Sequence, residues 1–142
     1  MSSLIRISDI PNLPSRAVDA HKGSFGRAVI IGGSVGMSGA VALAGLGALR
    51  GGAGLVYLAC PKSVWSSVAA IEPSYLTVPL SEDTQGRLSL AAVPEIVATL
   101  ENADAWAIGP GLGQSDDLRQ IVTQIVRAST APCVVDADAL NL

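Results

Sequence analysis

Apolar residues in this 142-residue chain fall into short solid runs that alternate with longer amphipathic stretches. The solid runs, Arg27–Gly33, Leu55–Ala59, Tyr75–Leu80, Ala105–Ile108 and Cys133–Val135, read as buried strands. The stretches between them read as helices over Ser38–Arg50, Pro61–Ile71, Leu88–Asn102 and from Ser115 onward. The last carries Leu118, Ile121, Val122, Ile125 and Val126 at i, i+3, i+4, i+7 and i+8, one apolar stripe. Leu88–Asn102 places Val93, Ile96, Val97 and Leu100 on one face. Ser38 and Ser115 are the expected N-caps, Asp116 and Asp117 favour the dipole of the last helix, and Gly51-Gly52 stops the first. Gly45 and Gly47, inside a helix, predict a close approach to the sheet, and Pro79 marks an edge or a strand end. Residues 1–22, with Pro11 and Pro14, form a lead-in with room for a short helix at Ser15–Ala20. A tight loop, His21–Gly26, follows, and Ser81–Arg87 reads as a solvated loop.

Strand and helix in regular alternation predict an α/β fold, an open, mainly parallel sheet with helices on both faces, within one domain. In such sheets ligands bind at the carboxyl ends of strands. The three unusual segments all fall there: Gly32–Gly39 after the first strand, Gly109-Pro110-Gly111-Leu112-Gly113 after the fourth, and Asp136–Leu142 after the fifth. A strand, a glycine loop and a helix start in that order make an anion site of loop amides and helix dipole. Gly32–Gly39 contains no G-x-G-x-x-G register and no Lys-Ser/Thr of a Walker loop, so a tight turn explains it equally well. Three glycines in Gly109–Gly113, stiffened by Pro110, favour close approach to a ligand. Asp136 and Asp138 would share a face on an extended backbone. They could then hold Mg²⁺ through water or tune a proton, or simply cap a turn and pair with a base; Asn141 fits a ligand contact or a turn cap. The chain reaches Leu142 directly after a strand, which predicts part of a larger fold.

Composition narrows the class. Hydrophobic residues make up 49%, charged ones 15%, and the net charge is −3. With no Lys/Arg cluster, nucleic acid is not an expected partner. The uncharged span Ala28–Leu49, flanked by Arg27 and Arg50, is long enough for a membrane helix. Glycines and serines interrupt it and its β-branched start gives way to alanine, which a strand, turn and helix explain better; no membrane partner is expected. Cys60 and Cys133 read as buried, reduced thiols of a cytoplasmic protein, and Trp65 and Trp106 as core. His21, the only histidine, reads as a loop residue bonded to backbone rather than a general base, and Lys22 as solvated rather than phosphate-binding.

The segments HKGSFGRAVIIGGSVGMSGAVALAGLGALRGGAGLV, AIGPGLG and VVDADALNL, in this order and spacing, resemble the NAD(P)H-hydrate dehydratases, ribokinase-like repair enzymes related to carbohydrate kinases. The resemblance runs from about His21 to Leu142. It implies ADP- or ATP-dependent dehydration of (S)-NADHX or NADPHX, with Mg²⁺, in a cytoplasmic homo-oligomer, a tetramer by family resemblance. It further implies substrate contacts at Ala40 and at Gly111 or Gly113, with Asp138 and Asn141 as candidates for substrate or Mg²⁺-water contacts. The Pro-His-x-Gly-Glu segment and the later Gly-Thr-Gly-Asp segment of that family, which carries its catalytic aspartate, do not occur in residues 1–142. No catalytic and no metal-ligating residue is therefore assigned, and the chain is expected to be the N-terminal half of such a domain, inactive by itself. A ribokinase-fold kinase of a small alcohol or vitamin precursor is the enzymatic alternative. A non-catalytic, nucleotide-binding half-domain that self-assembles over its open sheet edge is the other.

Overall fold

Strands with apolar side chains on both faces need cover on both, and helices supply it here on the two sides of one sheet. The structure, a computed structural model, describes residues 15–142; Pro11 and Pro14 of the lead-in lie outside the described residues. The elements are β1 (Arg27–Ile31), α1 (Ser38–Arg50), β2 (Leu55–Pro61), α2 (Lys62–Ala69), β3 (Leu76–Leu80), α3 (Ala92–Leu100), β4 (Ala105–Ile108), α4 (Asp116–Ala128) and β5 (Cys133–Val135). All pairings are parallel and the strand order is β3-β2-β1-β4-β5. Alternation along β1 sends Ile30 to one face, with Val41, Ala42, Leu58 and Val68 of α1, β2 and α2. Val29 and Ile31 face the other way, with Ile96, Leu118, Ile121 and Ile125 of α3 and α4. Two turns of 3-10 helix, at Lys22–Phe25 before β1 and at Ala137–Leu140 after β5, complete the order.

The expected architecture is the observed one, and several local expectations are corrected. The Ser15–Ala20 segment is not helical; among the described residues the first helical turn is Lys22–Phe25. Ser38 is the first residue of α1 rather than its cap, and Met37 at the cap position offers no side-chain bond. The helix expected from Leu88 starts at Ala92, because Leu88 is held in an antiparallel bridge with Glu82 and Ser89 N–H donates to Ser81. Val97, placed on the buried face, is exposed, while Ala92 and Ile96 are buried. Trp65 is 41% exposed, its indole N–H donating to Thr77 Oγ1 at 2.7 Å across to β3. Trp106 is core, and its buried Nε1 lacks a partner among the described residues. Such an orphan costs about 1–3 kcal/mol, so the packing of that ring has to outweigh it. Cys133 is exposed on edge strand β5, whereas Cys60 is buried in β2, where burial pushes its thiol up to about 11. Pro79 sits on the other edge, β3, as its missing N–H requires.

The two helix glycines separate. A Cβ on Gly45 would stand 2.9 Å from Leu58 Cδ2 and from Tyr75 Cε1, whereas one on Gly47 would meet nothing within 4 Å. Tyr75 is itself tied down, its hydroxyl donating to the Ala42 carbonyl at 2.6 Å. Gly45 is thus the close-approach position, and Gly47 is not.

Urea titration should therefore show Gly47→Ala raising stability by about 1 kcal/mol, the helix-propensity gain. Gly45→Ala should lower it by about 1 kcal/mol, overpacking exceeding the same gain. In a thiol-reactivity assay at mildly alkaline pH, Cys133 should react at once and Cys60 only after denaturant is added. Rapid reaction of both would contradict the burial of β2.

Candidate functional site: three segments at one sheet edge

β1 and β4 lie side by side, yet the chain leaves them in opposite directions, through α1 toward β2 and through α4 toward β5. This is the topological switch point of an open parallel sheet, the place where sheets of this kind bind their ligands. The loops leaving the two strands touch backbone to backbone. Gly33 N–H donates to the Pro110 carbonyl at 2.8 Å, and Gly32 packs so closely on that carbonyl that a Cβ there would collide with it. Ser34, 1% exposed, donates its hydroxyl to the Gly111 carbonyl at 2.8 Å. Gly111 in turn faces α1: a Cβ on it would come within 2.7 Å of the Met37 carbonyl and 3.0 Å of Ala40 Cβ.

The third segment joins from the other side. Asp136 N–H donates to the Ile108 carbonyl at 2.9 Å, and the Asp136 carbonyl lies against Gly109, which has φ +135° and no space for a side chain. Ala137 then takes φ +42°, a left-handed conformation rare for alanine, as the chain turns from β5 into its 3-10 turn. Strain of about 1–2 kcal/mol at that residue is the local cost of aiming the next side chain. Asp138 is so aimed: its Oδ2 accepts from Gly113 N–H at 2.8 Å, and its backbone carbonyl accepts from Gln114 Nε2 at 3.0 Å. Asn141 donates to the Ala137 carbonyl at 3.2 Å, which is the turn-capping arrangement. Asp136 and Asp138 do not share an extended face, because the 3-10 turn begins between them.

A fourth segment reaches the same edge, one that polarity alone marks as solvated. Ser81–Ser89 folds back on itself, with Asp83 N–H donating to the Arg87 carbonyl at 2.7 Å. The Asp83 carboxylate collects the amides of Gln85 and Arg87 and pairs with the Arg87 guanidinium at 2.8 Å. Burial pushes its carboxyl up, but those amides and the guanidinium together outweigh burial and hold it below its usual range. At the root of the hairpin Glu95 of α3 accepts from the Ser81 amide and hydroxyl at 2.7 and 2.8 Å. The amide bond is the main reason that the Glu95 carboxyl is held low, against desolvation and with help from the Ser81 hydroxyl and the Lys62 charge.

Electrostatically, the helix starts are unequal. Glu82 accepts from Ser63 N–H at the start of α2, Glu95 lies in the first turn of α3, and α4 is capped by Ser115 Oγ with Asp116 and Asp117 beside it. The first turn of α1 carries no acid and no side-chain cap. In the preceding loop the amides of Gly32, Gly33, Val35 and Met37 are all spent on protein carbonyls, contrary to the expectation of free loop amides. Within the first turn of α1, Ala40 N–H donates to the Met37 carbonyl at 3.2 Å, so the amides of Ser38 and Gly39 are the ones it leaves for an anion.

The structure thus brings Ala40, Gly111, Gly113 and Asp138 together, and leaves Asn141 exposed at the margin. His21 and Lys22 sit at the opposite end, beside the start of β1. Among the described residues no group of three or more His, Cys, Asp or Glu is placed to hold a metal ion. No described helix is long and apolar enough to cross a membrane.

Comparison with known proteins agrees with this fold. A family model described as NAD(P)H-hydrate dehydratase, of the carbohydrate-kinase type, matches residues 28–142. The bifunctional NAD(P)H-hydrate repair enzyme of Moorella thermoacetica is 40% identical over 129 residues, covering 91% of this chain and 24% of that enzyme. Its counterpart in Dictyoglomus turgidum is 41% identical over 138 residues, 95% of this chain and 26% of the other. The ADP/ATP-dependent NAD(P)H-hydrate dehydratase of Bacillus subtilis, co-crystallized with ATP/Mg²⁺, superposes with a TM-score of 0.72 at 31% identity, over 90% of this chain and 43% of that one. A ribokinase-like superfamily protein of Enterococcus faecalis gives 0.73 at 25% identity, over 89% and 42%. The chain spans about a quarter of the length of the curated relatives and under half of the solved chains. By its matched residues and by the ribokinase-like sheet they form, the chain belongs to the NAD(P)H-hydrate dehydratase family.

Proposed function

We propose that this chain forms one wall of the substrate cleft in an enzyme that repairs nicotinamide cofactor, dehydrating (S)-NADHX or NADPHX with ADP or ATP. The observation that carries the reading is the meeting of the three family-matched segments at the switch point, with the start of α1 the one helix start there free of carboxylate. Ala40, half-buried over the buried Gly111, presents only a methyl group, a surface against which a flat dinucleotide can lie closely. The first turn of α1 attracts its phosphates. Gly113, fixed by Asp138, sets the far rim of that surface. Asn141 at the margin is proposed as a polar contact to the substrate.

The described residues supply no dedicated metal site. Mg²⁺ fits best as an ion carried by nucleotide phosphates, which it normally binds while keeping several waters. The residues here bind and orient; proton transfer is assigned to none of them. The rest of the cleft is proposed to come from sequence beyond these residues, in a cytoplasmic homo-oligomer. The edge of β5, with Val134 62% exposed, is the surface left for it to cover.

Incubating the full gene product with hydrated NADH or NADPH and ADP or ATP should regenerate reduced cofactor, while a panel of small alcohols yields no phosphorylated product. Turnover of alcohols alone would replace this reading with the kinase one. Ala40→Leu fills the space beside Gly111 and should raise KM for the hydrate about tenfold or more with little change in melting temperature, since about 1.4 kcal/mol of lost binding is tenfold. Gly109→Ala must push Asp136 away and should cost stability as well, by about 2–4 kcal/mol from overpacking and left-handed strain.

A further inference from the structure

The hairpin Ser81–Ser89 touches both glycine loops of the switch point without belonging to any of the motifs named above. Its tip residue Gly86 is buried, has φ +71° and accepts from Val35 N–H of the first glycine loop at 3.2 Å. Val35, 60% exposed, lies over it so closely that a side chain at Gly86 would strike Val35 Cγ2. The next residue reaches the second loop. Arg87 Nη1 donates to the Gln114 carbonyl at 2.7 Å, while its Nε and Nη2 are held by Asp83 Oδ2 at 2.9 and 2.8 Å. The Arg87 stem passes 3.5 Å from the Cβ position of Gly113. The first side of the hairpin is pinned to both neighbouring helices, Glu82 accepting from Ser63 of α2 and Ser81 donating to Glu95 of α3.

We infer that this hairpin is a clasp that fixes the spacing of the two glycine loops, with Arg87 as a positioning residue for substrate binding; the inference rests on the dehydratase reading. Each loop is bonded to the other near its base, through Gly33–Pro110 and Ser34–Gly111. Farther out, toward Val35 and Gln114, the hairpin is the bridge between them. A guanidinium held at both Nε and Nη2 by one carboxylate oxygen has little freedom to swing, so its Nη1 holds Gln114 at a set distance. Gln114 and Gly113 both bond Asp138, so the same contact steadies the third segment. With its charge matched by Asp83, Arg87 does not serve as a free phosphate-binding cation.

Amide hydrogen exchange on the full chain without ligand tests the clasp directly. In Arg87→Met, exchange at Val35 and Gly113 should quicken about tenfold, the scale of one charge-assisted hydrogen bond, while Ile121 and Ile125 in α4 stay as protected as before. Arg87→Lys keeps the charge but not the fork and should be as loose as methionine; full rescue by lysine would overturn the geometry. Unchanged exchange at both amides, or equal acceleration in α4, would overturn the clasp in favour of no role or of general stability. Should Arg87→Met fail to fold, Asp83→Asn releases the same guanidinium while keeping an acceptor for the Arg87 amide, and carries the same expectations. In the full gene product, Arg87→Met should raise KM for hydrated NADH about tenfold with kcat held within about twofold. A fall in kcat at constant KM would overturn the positioning role. A wild-type product without dehydratase activity refutes the function proposed above, and the exchange result then decides the clasp independently.

Discussion

Everything at the carboxyl edge of the sheet depends on two backbones lying in direct contact where β1 and β4 diverge. Parallel neighbours hold strand ends about 4.8 Å apart, and loops leaving them normally splay to make room for side chains. Here Gly32 presents no side chain to the Pro110 carbonyl, and Gly33 donates to it. That contact lets α1 and α4 depart on opposite faces while their loops stay joined. Ser34 and Gly111 can then bond below the surface, and Ala40 can stand over Gly111. The same device recurs at Gly109 against Asp136, so the third segment is docked by backbone contact as well. An edge so built is shaped by main chain, which side-chain motion cannot blur.

This explains why so much of the site was legible in the sequence. Glycines in dense groups directly after apolar runs signal backbone approaching backbone, and the alternation of elements places all such groups at one edge. The amphipathic stripe of α4 was equally readable, because Leu118, Ile121 and Ile125 answer to a single period. What could not be read was anything decided by a neighbour. Trp65 and Val97 are as apolar as core residues, yet Trp65 stays partly exposed while its indole reaches Thr77 of edge strand β3, and Val97 is exposed on α3. Cys133 sits in an apolar run, but on a strand with a partner on one side only. Gly45 and Gly47 look alike in sequence; Leu58 and Tyr75 lie beside one and nothing beside the other.

The hairpin shows the same limit from the polar side. Ser81–Arg87 reads as solvated because its residues are polar, but polarity does not say whether the partner is water. Asp83 spends its carboxylate on Gln85, Arg87 and the guanidinium, and Glu82 and Glu95 serve neighbouring helices and strands. Once those groups are satisfied internally, the segment can be pressed against the glycine loops with Gly86 buried. The spacing of Asp83 and Arg87 was visible; the carbonyl of Gln114 that Arg87 reaches lies 27 residues on.

The distribution of carboxylates at this edge carries the functional argument furthest. A helix start draws anions whether they come from ligand or from protein, and three of the four helices have taken theirs from the protein: Glu82, Glu95, and Asp116 with Asp117. Occupied starts repel a phosphate. The start of α1 is unoccupied by acid, uncapped by side chain, and flanked by the smallest residues in the chain, Gly39 and Ala40. On the function proposed above, one attractive position among several filled ones would orient a dinucleotide as well as hold it, because the neighbouring acids would exclude alternative placements of the phosphates. Binding of that kind requires the two loops to keep their spacing when a charged ligand arrives, and that places the demand on the contacts of Gly33 with Pro110, Ser34 with Gly111, and Arg87 with Gln114.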